Sequence, residues 1–150
     1  MFRKIMPISA VAVASVTATA TPASAIAAND VVLLDTGSGS YGPNTVFANC
    51  QGGPGASLDL NYVTYVVRGT AQASSTSGAI PIATTINCWI RDYKSGAVWG
   101  PKVTGFAPTG TAAAAGTITA RSTGYLTMCS EAYALFNDNR PAAHYKTPGC

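Results

Sequence analysis

The chain has 150 residues and a formal net charge of +3, from nine basic and six acidic residues. Two of the positive charges, Arg3 and Lys4, lie at the start, and the other basic residues are scattered singly along the sequence. Because phosphate binding depends on clustered lysine and arginine side chains, this composition argues against a nucleic-acid partner. The length fits one domain that buries a core of its own.

The first 25 residues predict a cleavable export signal. Arg3 and Lys4 precede an apolar stretch, residues 5–16, and Ala23-Ser24-Ala25 supplies small residues for cleavage. A second small-residue site extends the possible cleavage point to residue 28. The apolar stretch falls short of the ~20 residues that a spanning helix needs, so we expect no stable membrane anchor. Residues 26–150 are therefore expected to form a single secreted, extracellular domain.

Four cysteines lie in the expected mature part: Cys50, Cys88, Cys129 and Cys150. An even number of cysteines in an exported chain predicts two disulfides. A zinc site is not expected, because no pair has C-x-x-C spacing and His144 is the single histidine. The sequence indicates no cofactor, and three disulfide connectivities are open at this stage.

Turn residues recur about every ten positions between β-branched and aromatic runs, which predicts an all-β domain of short strands. We expect strands at 31–35, 45–50, 58–72, 80–92, 97–104, 116–121, 125–136 and 142–146. The Gly-rich segments 36–44 and 51–57 are predicted to be loops. The alanine run 112–115 is predicted to be a loop or an edge strand.

The clearest alternation lies in the fourth predicted strand. One face carries Ile80, Ile82, Thr84, Ile86, Cys88 and Ile90, and is expected to face the core. The following Lys94-Ser95-Gly96 predicts a hairpin turn with a left-handed glycine, which places Trp99 opposite Trp89 or Arg91. Trp89, Tyr93 and Trp99 around this hairpin could form an aromatic platform for a sugar or a peptide, or could pack in the core.

Cys88, Trp99 and Cys129 together resemble the Cys…Trp…Cys framework of immunoglobulin-like domains, although Thr127 stands where that family has a tyrosine. The resemblance implies an antiparallel immunoglobulin-like β-sandwich in which Cys88 pairs with Cys129 and Cys50 with Cys150. A Cys129–Cys150 pair across a terminal hairpin is the alternative. The Ala- and Thr-rich leader and the segment 129–134 also resemble small secreted actinobacterial proteins that have no assigned role.

One segment resembles a catalytic motif. The apolar residues 31–34 followed by Asp35-Thr36-Gly37-Ser38 resemble the signature of aspartic proteases, and a single copy near the mature terminus resembles the retroviral type. This resemblance implies that Asp35 acts in a homodimer, because the chemistry needs two carboxylates that share one proton. No apolar-apolar-Gly segment or flap hairpin accompanies the motif, and a strand that ends in an Asp-Thr-Gly turn explains the same residues.

Other polar residues give no catalytic arrangement. Gly37, Gly39 and Gly42 match a dinucleotide-binding pattern, but the residues after them predict a strand where that site needs a helix. Glu131 and His144 are expected to face solvent. We therefore expect a non-enzymatic extracellular binding or surface-interaction module whose partner is an extracellular protein or a carbohydrate. The alternatives are the aspartic protease and a secreted protease inhibitor.

Overall fold

A computed structural model describes residues 32–59, 61–122 and 124–150. The described residues form eight strands: β1 (Leu33–Tyr41), β2 (Asn44–Asp59), β3 (Tyr62–Ser75), β4 (Pro81–Asp92), β5 (Val98–Ala107), β6 (Thr111–Arg121), β7 (Leu126–Phe136) and β8 (Ala143–Lys146). The predicted leader, residues 1–25, lies outside the described residues. No helix in the described part is long and apolar enough to cross a membrane.

The strands form two antiparallel sheets of four strands each. Sheet A has the order β1-β2-β3-β6 and sheet B the order β5-β4-β7-β8. Inward residues alternate with outward ones, as in β3, where Val63, Tyr65 and Val67 are buried. The inner faces of both sheets meet in one core, and each large apolar side chain buried there contributes about 1.5–3 kcal/mol. The predicted all-β sandwich is confirmed.

The expected core face of β4 is only partly right. Thr84, Ile86, Cys88 and Ile90 are fully buried, but Ile80 and Ile82 are exposed. The pairing of β4 with β7 shifts by one residue between Pro81 and Ala83, and such a shift reverses the face that each residue presents. The predicted alternation of inward and outward residues therefore holds from Thr84 to Ile90 and fails for Ile80 and Ile82.

The Gly-rich segments 36–44 and 51–57 are strands, which corrects the loop prediction. Most of the first segment belongs to β1, and the whole of the second belongs to β2. A Cβ atom at Gly37 would overlap the ring of Tyr145, and one at Gly39 would overlap the backbone of His144. These glycines therefore let β1 lie directly against β8. Among the glycines of these two segments, only Gly42, in the turn, has a positive φ, of 57°.

The opposite edge of the sandwich is closed in the same way. A Cβ at Gly105 of β5 would overlap the carbonyl of Ala113 in β6, so the two strands lie backbone to backbone. β6 begins at Thr111 and is the last strand of sheet A. The alanine run 112–115 therefore lies in an edge strand, and the alternative prediction of a loop is wrong.

The disulfide pairing implied by the immunoglobulin resemblance is wrong. Cys50 pairs with Cys88, joining β2 of sheet A to β4 of sheet B, and Cys129 pairs with Cys150. Cys88 and Cys129 lie in the same sheet, where Cys88 is opposite Ser130 and Cys129 is opposite Trp89. Since successive residues point to opposite faces, these two cysteines cannot meet. The Cys129–Cys150 pair is the alternative that the sequence left open.

The β4–β5 hairpin has the predicted turn. Gly96 has a φ of 76°, and the Asp92 carboxylate accepts hydrogen bonds from the backbone N–H groups of Ser95 and Lys94. These bonds hold the pKa of Asp92 below its usual value, and the bond from Ser95 has the largest effect. The predicted register is wrong, because Trp99 lies opposite Ile90. The pairs next to the turn, Arg91 with Val98 and Ile90 with Trp99, set this register, and a register shift follows between Ile90 and Cys88.

A first prediction concerns the contact between β1 and β8. We expect Gly39→Ala to lower the free energy of unfolding by about 3 kcal/mol, because the new methyl group meets the His144 backbone, which cannot rotate away. Gly53→Ala is the matched control, since a Cβ at Gly53 has no atom within 4 Å. It should leave stability unchanged or raise it by up to about 1 kcal/mol. Equilibrium urea unfolding measures both, and equal losses would contradict the proposed contact.

A second prediction concerns the two disulfides. Cys50–Cys88 closes a sequence separation of 38 residues and Cys129–Cys150 one of 21. In the chain-entropy model, removing either bond costs about 3–4 kcal/mol, with the longer loop losing more. We expect Cys50→Ala/Cys88→Ala to be the less stable double variant in chemical denaturation. Peptide mapping of the oxidised protein tests the pairing, and a Cys88–Cys129 peptide would refute it.

Candidate functional site

The predicted aromatic platform is not formed, because its rings lie in different environments. Trp89 is 2% exposed, with Nζ of Lys102 4.0 Å from its ring centroid. Trp99 is partly buried and packs against the core from the other face of sheet B. Tyr93 is exposed and contacts Tyr125 edge to face at 5.4 Å. The three side chains therefore offer no common surface to a ligand.

Asp35 lies on the inner face of β1, between the two sheets. Its carboxylate accepts hydrogen bonds from the hydroxyls of Ser130, Thr147 (2.7 Å) and Tyr145 (3.3 Å). Burial and the nearby Asp35 charge raise the pKa of Tyr145, which keeps that donor protonated. The carboxylate thus ties β1 to β7 and to the chain end. Two Asp35 carboxylates from separate copies could meet only if the segment around Tyr145 and Thr147 moved away.

Glu131 and His144 lie together on the outer face of sheet B, although no sequence pattern indicated a contact between them. Glu131 accepts a 2.6 Å hydrogen bond from the hydroxyl of Tyr133, and this bond raises the pKa of Tyr133. His144 Nε2 and Lys146 Nζ lie 3.8 and 3.9 Å from the Glu131 oxygens. The rings of Tyr133 and His144 stack at 4.2 Å. Each polar group in this cluster is therefore engaged with another member.

The outer face of sheet A contains an open concavity, which we call the sheet A groove. Its volume is about 530 Å³, within the range of small-molecule sites. It crosses β1, β2 and β3, and it is lined by Thr36, Gly37, Ser38, Phe47, Ala48, Asn49, Thr70 and Gln72. All of these residues are uncharged. The groove therefore offers hydrogen bonds and one aromatic ring without a charged group in its lining.

The strand register places polar side chains around the aromatic ring. Phe47, which is 51% exposed, lies opposite Ser38 on β1 and Gln72 on β3. In the next outward row, Asn49 lies between Thr36 and Thr70. Neighbouring strands are about 4.8 Å apart and outward residues on one strand about 7 Å apart. The ring is thus flanked by a hydroxyl and an amide across the strands, with a second amide in the next row.

Within the described part of the chain, the polar side chains of the groove have no side-chain hydrogen-bond partner. Elsewhere on this face hydroxyls pair across strands, as Ser40 does with Thr45 and Thr64 with Thr119. In contrast, five polar residues of the groove form no side-chain hydrogen bond with any described residue. They are Thr36, Ser38, Asn49, Thr70 and Gln72. The backbone groups of β2 and β3 are used in the sheet ladder. A ligand would therefore be recognised by side chains.

Sequence reasoning missed the groove because it assigned three of its lining residues, Thr36, Gly37 and Ser38, to a loop. Thr36 and Ser38 fall in the segment 36–44, whose glycines suggested a turn. A signal was present, since Thr36, Ser38 and Ser40 alternate with Gly37 and Gly39 at the period of a strand. That pattern gives a polar outer face, but it does not say which residues of β2 and β3 lie beside it.

Metal binding finds no support in the described part of the chain. All four cysteines are in disulfides, and no group of three or more His, Cys, Asp or Glu side chains among the described residues could hold an ion. The cysteines therefore staple the fold, as the sequence predicted.

A third prediction concerns the Asp35 contacts. We expect Asp35→Ala to lower the free energy of unfolding by about 1–3 kcal/mol, because the buried Ser130 hydroxyl loses a charged acceptor. Ser130→Ala should cost less, and the double variant should cost less than the sum of the two. Urea unfolding of the four proteins measures the coupling. Additive losses, or an Asp35→Ala variant of unchanged stability, would contradict the contact.

Comparison with known proteins gives this chain no relative. No protein-family model, curated protein or solved structure matches it. The resemblances to immunoglobulin-like domains and to small actinobacterial proteins therefore stay predictions. The function of this chain has to be argued from its own residues.

Proposed function

We propose that this protein is a non-enzymatic extracellular binding module whose sheet A groove binds carbohydrate. The observation that carries the proposal is an exposed ring, Phe47, set among unpartnered hydroxyls and amides. A sugar has apolar C–H faces, which stack on a flat ring, and hydroxyl edges, which pair with groups such as Asn49 and Gln72. The groove supplies both kinds of contact side by side.

The chemistry of the groove favours a sugar over a peptide. Peptides are commonly bound by adding a strand to a free sheet edge or by placing an apolar side chain in a pocket. The groove crosses β1, β2 and β3; β2 and β3 are paired along both edges, and β1, the edge strand, packs against β8. Phe47 is the one large apolar side chain in the lining. Amides and hydroxyls can both donate and accept, which suits the hydroxyl groups of a sugar.

Two features support an extracellular location. The predicted export signal precedes the folded domain, and both disulfides are compatible with an oxidising compartment. In such a compartment neither Cys50–Cys88 nor Cys129–Cys150 would be reduced by cytosolic thiols. The face that carries the groove would then be presented to polysaccharides outside the cell.

The fourth prediction tests the groove with a matched pair of phenylalanines. The oxidised protein is incubated with insoluble cellulose, chitin, xylan and mannan, and any binding is then measured by calorimetry with the corresponding oligosaccharide. We expect Phe47→Ala to weaken binding at least tenfold, because stacking on an aromatic ring is lost. Gln72→Ala and Asn49→Ala should weaken it by smaller factors.

Phe106→Ala is the control, since Phe106 is also highly exposed, at 64%, but lies on the outer face of sheet B. It should bind like the unmodified protein. Loss of binding in both phenylalanine variants would place the site elsewhere. The proposed function would be overturned if the protein bound none of these glycans and also none of the charged oligosaccharide probes.

A further inference from the structure

Arg68 stands at one end of the sheet A groove. It lies on the outer face of β3, two residues before Thr70, which is about 7 Å along the strand. Its cross-strand neighbours are Gln51 on β2 and Ala115 on β6, and Leu34 lies beyond Gln51. The small Ala115 leaves the long arginine side chain free to extend over the face. The guanidinium is thus within reach of a ligand that lies in the groove.

No described carboxylate pairs with this arginine. Asp35 points between the sheets and is bound by hydroxyls, and Glu131 lies on the outer face of sheet B. Asp92 is in the β4–β5 turn, and Asp138 follows β7 and binds Asn44 and Arg140. Arg68 is exposed and has no ion pair with any of the described side chains. No described side chain therefore compensates its charge beside the uncharged lining of the groove.

We propose that the groove selects acidic glycans, with the Arg68 guanidinium binding an oxyanion on the sugar chain. This inference rests on the proposed function, because the sugar ring itself would be held by Phe47 and its polar neighbours. A guanidinium donates two parallel hydrogen bonds to a carboxylate or a sulfate, and such charged bonds are stronger than neutral ones. The arginine thus adds a preference for charge to a site that already fits hydroxyls.

The position of the charge defines the ligand further. Arg68 lies one outward row from Asn49 and Thr70 and two rows from Phe47. With about 7 Å between outward rows, the anionic group would lie about 14 Å from the stacked ring, less the reach of the arginine. One sugar unit on Phe47 is then followed by another that carries the oxyanion. We therefore infer an oligosaccharide of at least two units.

The fifth prediction uses pairs of probes that differ in charge. Oligogalacturonide is compared with its methyl ester, and a dextran sulfate oligosaccharide with the dextran oligosaccharide of the same length, by calorimetry at low salt. We expect the charged member of at least one pair to bind about tenfold tighter. The carboxylate pair and the sulfate pair together show which oxyanion is preferred. Raising the salt to 0.5 M should reduce the difference, because the arginine is exposed.

Arg68→Gln separates this inference from the proposed function. It should bring the charged probe to the affinity of its neutral partner, while the affinity for the neutral partner stays unchanged. Arg121→Gln is the control, since Arg121 is an exposed arginine on the outer face of β6. It lies about 27 Å along that strand from Ala113, the residue opposite Thr70 of the groove. It should retain the preference for charge.

Each outcome decides between the two proposals. Equal affinity within both pairs overturns the selection of acidic glycans and leaves the binding of sugar intact. A preference that survives Arg68→Gln, or disappears in Arg121→Gln, assigns the charge recognition to another residue and overturns the role of Arg68. Binding to none of the probes, charged or neutral, overturns both proposals.

Discussion

The close contact between β1 and β8 closes one edge of the sandwich and fixes the face that each residue of β1 presents. It requires that β1 carry no side chain at Gly37 and Gly39, where Tyr145 and the His144 backbone lie. Next to these glycines, Asp35 accepts hydrogen bonds from both Tyr145 and Thr147, so one strand positions the last residues of the chain.

The chain end is fixed a second time by the Cys129–Cys150 disulfide and by the hydrogen bond from the Arg91 side chain to the Gly149 carbonyl. Trp89, which lies opposite Cys129, is buried on the outer face of sheet B next to this covalent link.

The same strand connects the packing of the sandwich with the candidate site. Because a strand alternates its faces, placing Asp35 and Gly37 inward forces Thr36 and Ser38 outward, into the sheet A groove. A shift of β1 by one residue relative to β2 would turn the glycines to solvent and the hydroxyls to the core. The inner contacts therefore fix the register of the groove as well as the closure of the sandwich.

Local patterns in the sequence were enough for the all-β class and the hairpin turn, and not enough for anything that depends on two distant strands. The alternation in β4 and the glycine at position 96 act within a few residues; the first predicted the core face correctly from Thr84 to Ile90, and the second predicted the turn. The glycines at 37 and 39 suggested a loop, since nothing near them in sequence reveals that β8 packs on β1. The disulfide pairing failed because it depends on the face of β7 to which Cys129 points. The groove was missed because it combines the outer faces of three strands.

The two outer faces differ in a way that stability does not explain. On sheet B the polar groups of Glu131, Tyr133, His144 and Lys146 engage one another, so their identities follow from their mutual contacts. On sheet A, Asn49 and Gln72 engage no described side chain, and Phe47 exposes half of an aromatic ring to water beside them. An exposed ring alone is ordinary, as Phe106 illustrates. Among the described residues, these amides form no side-chain hydrogen bond and Arg68 forms no ion pair. The proposed ligand, with apolar faces, hydroxyls and a negative charge, would give these residues a physical role.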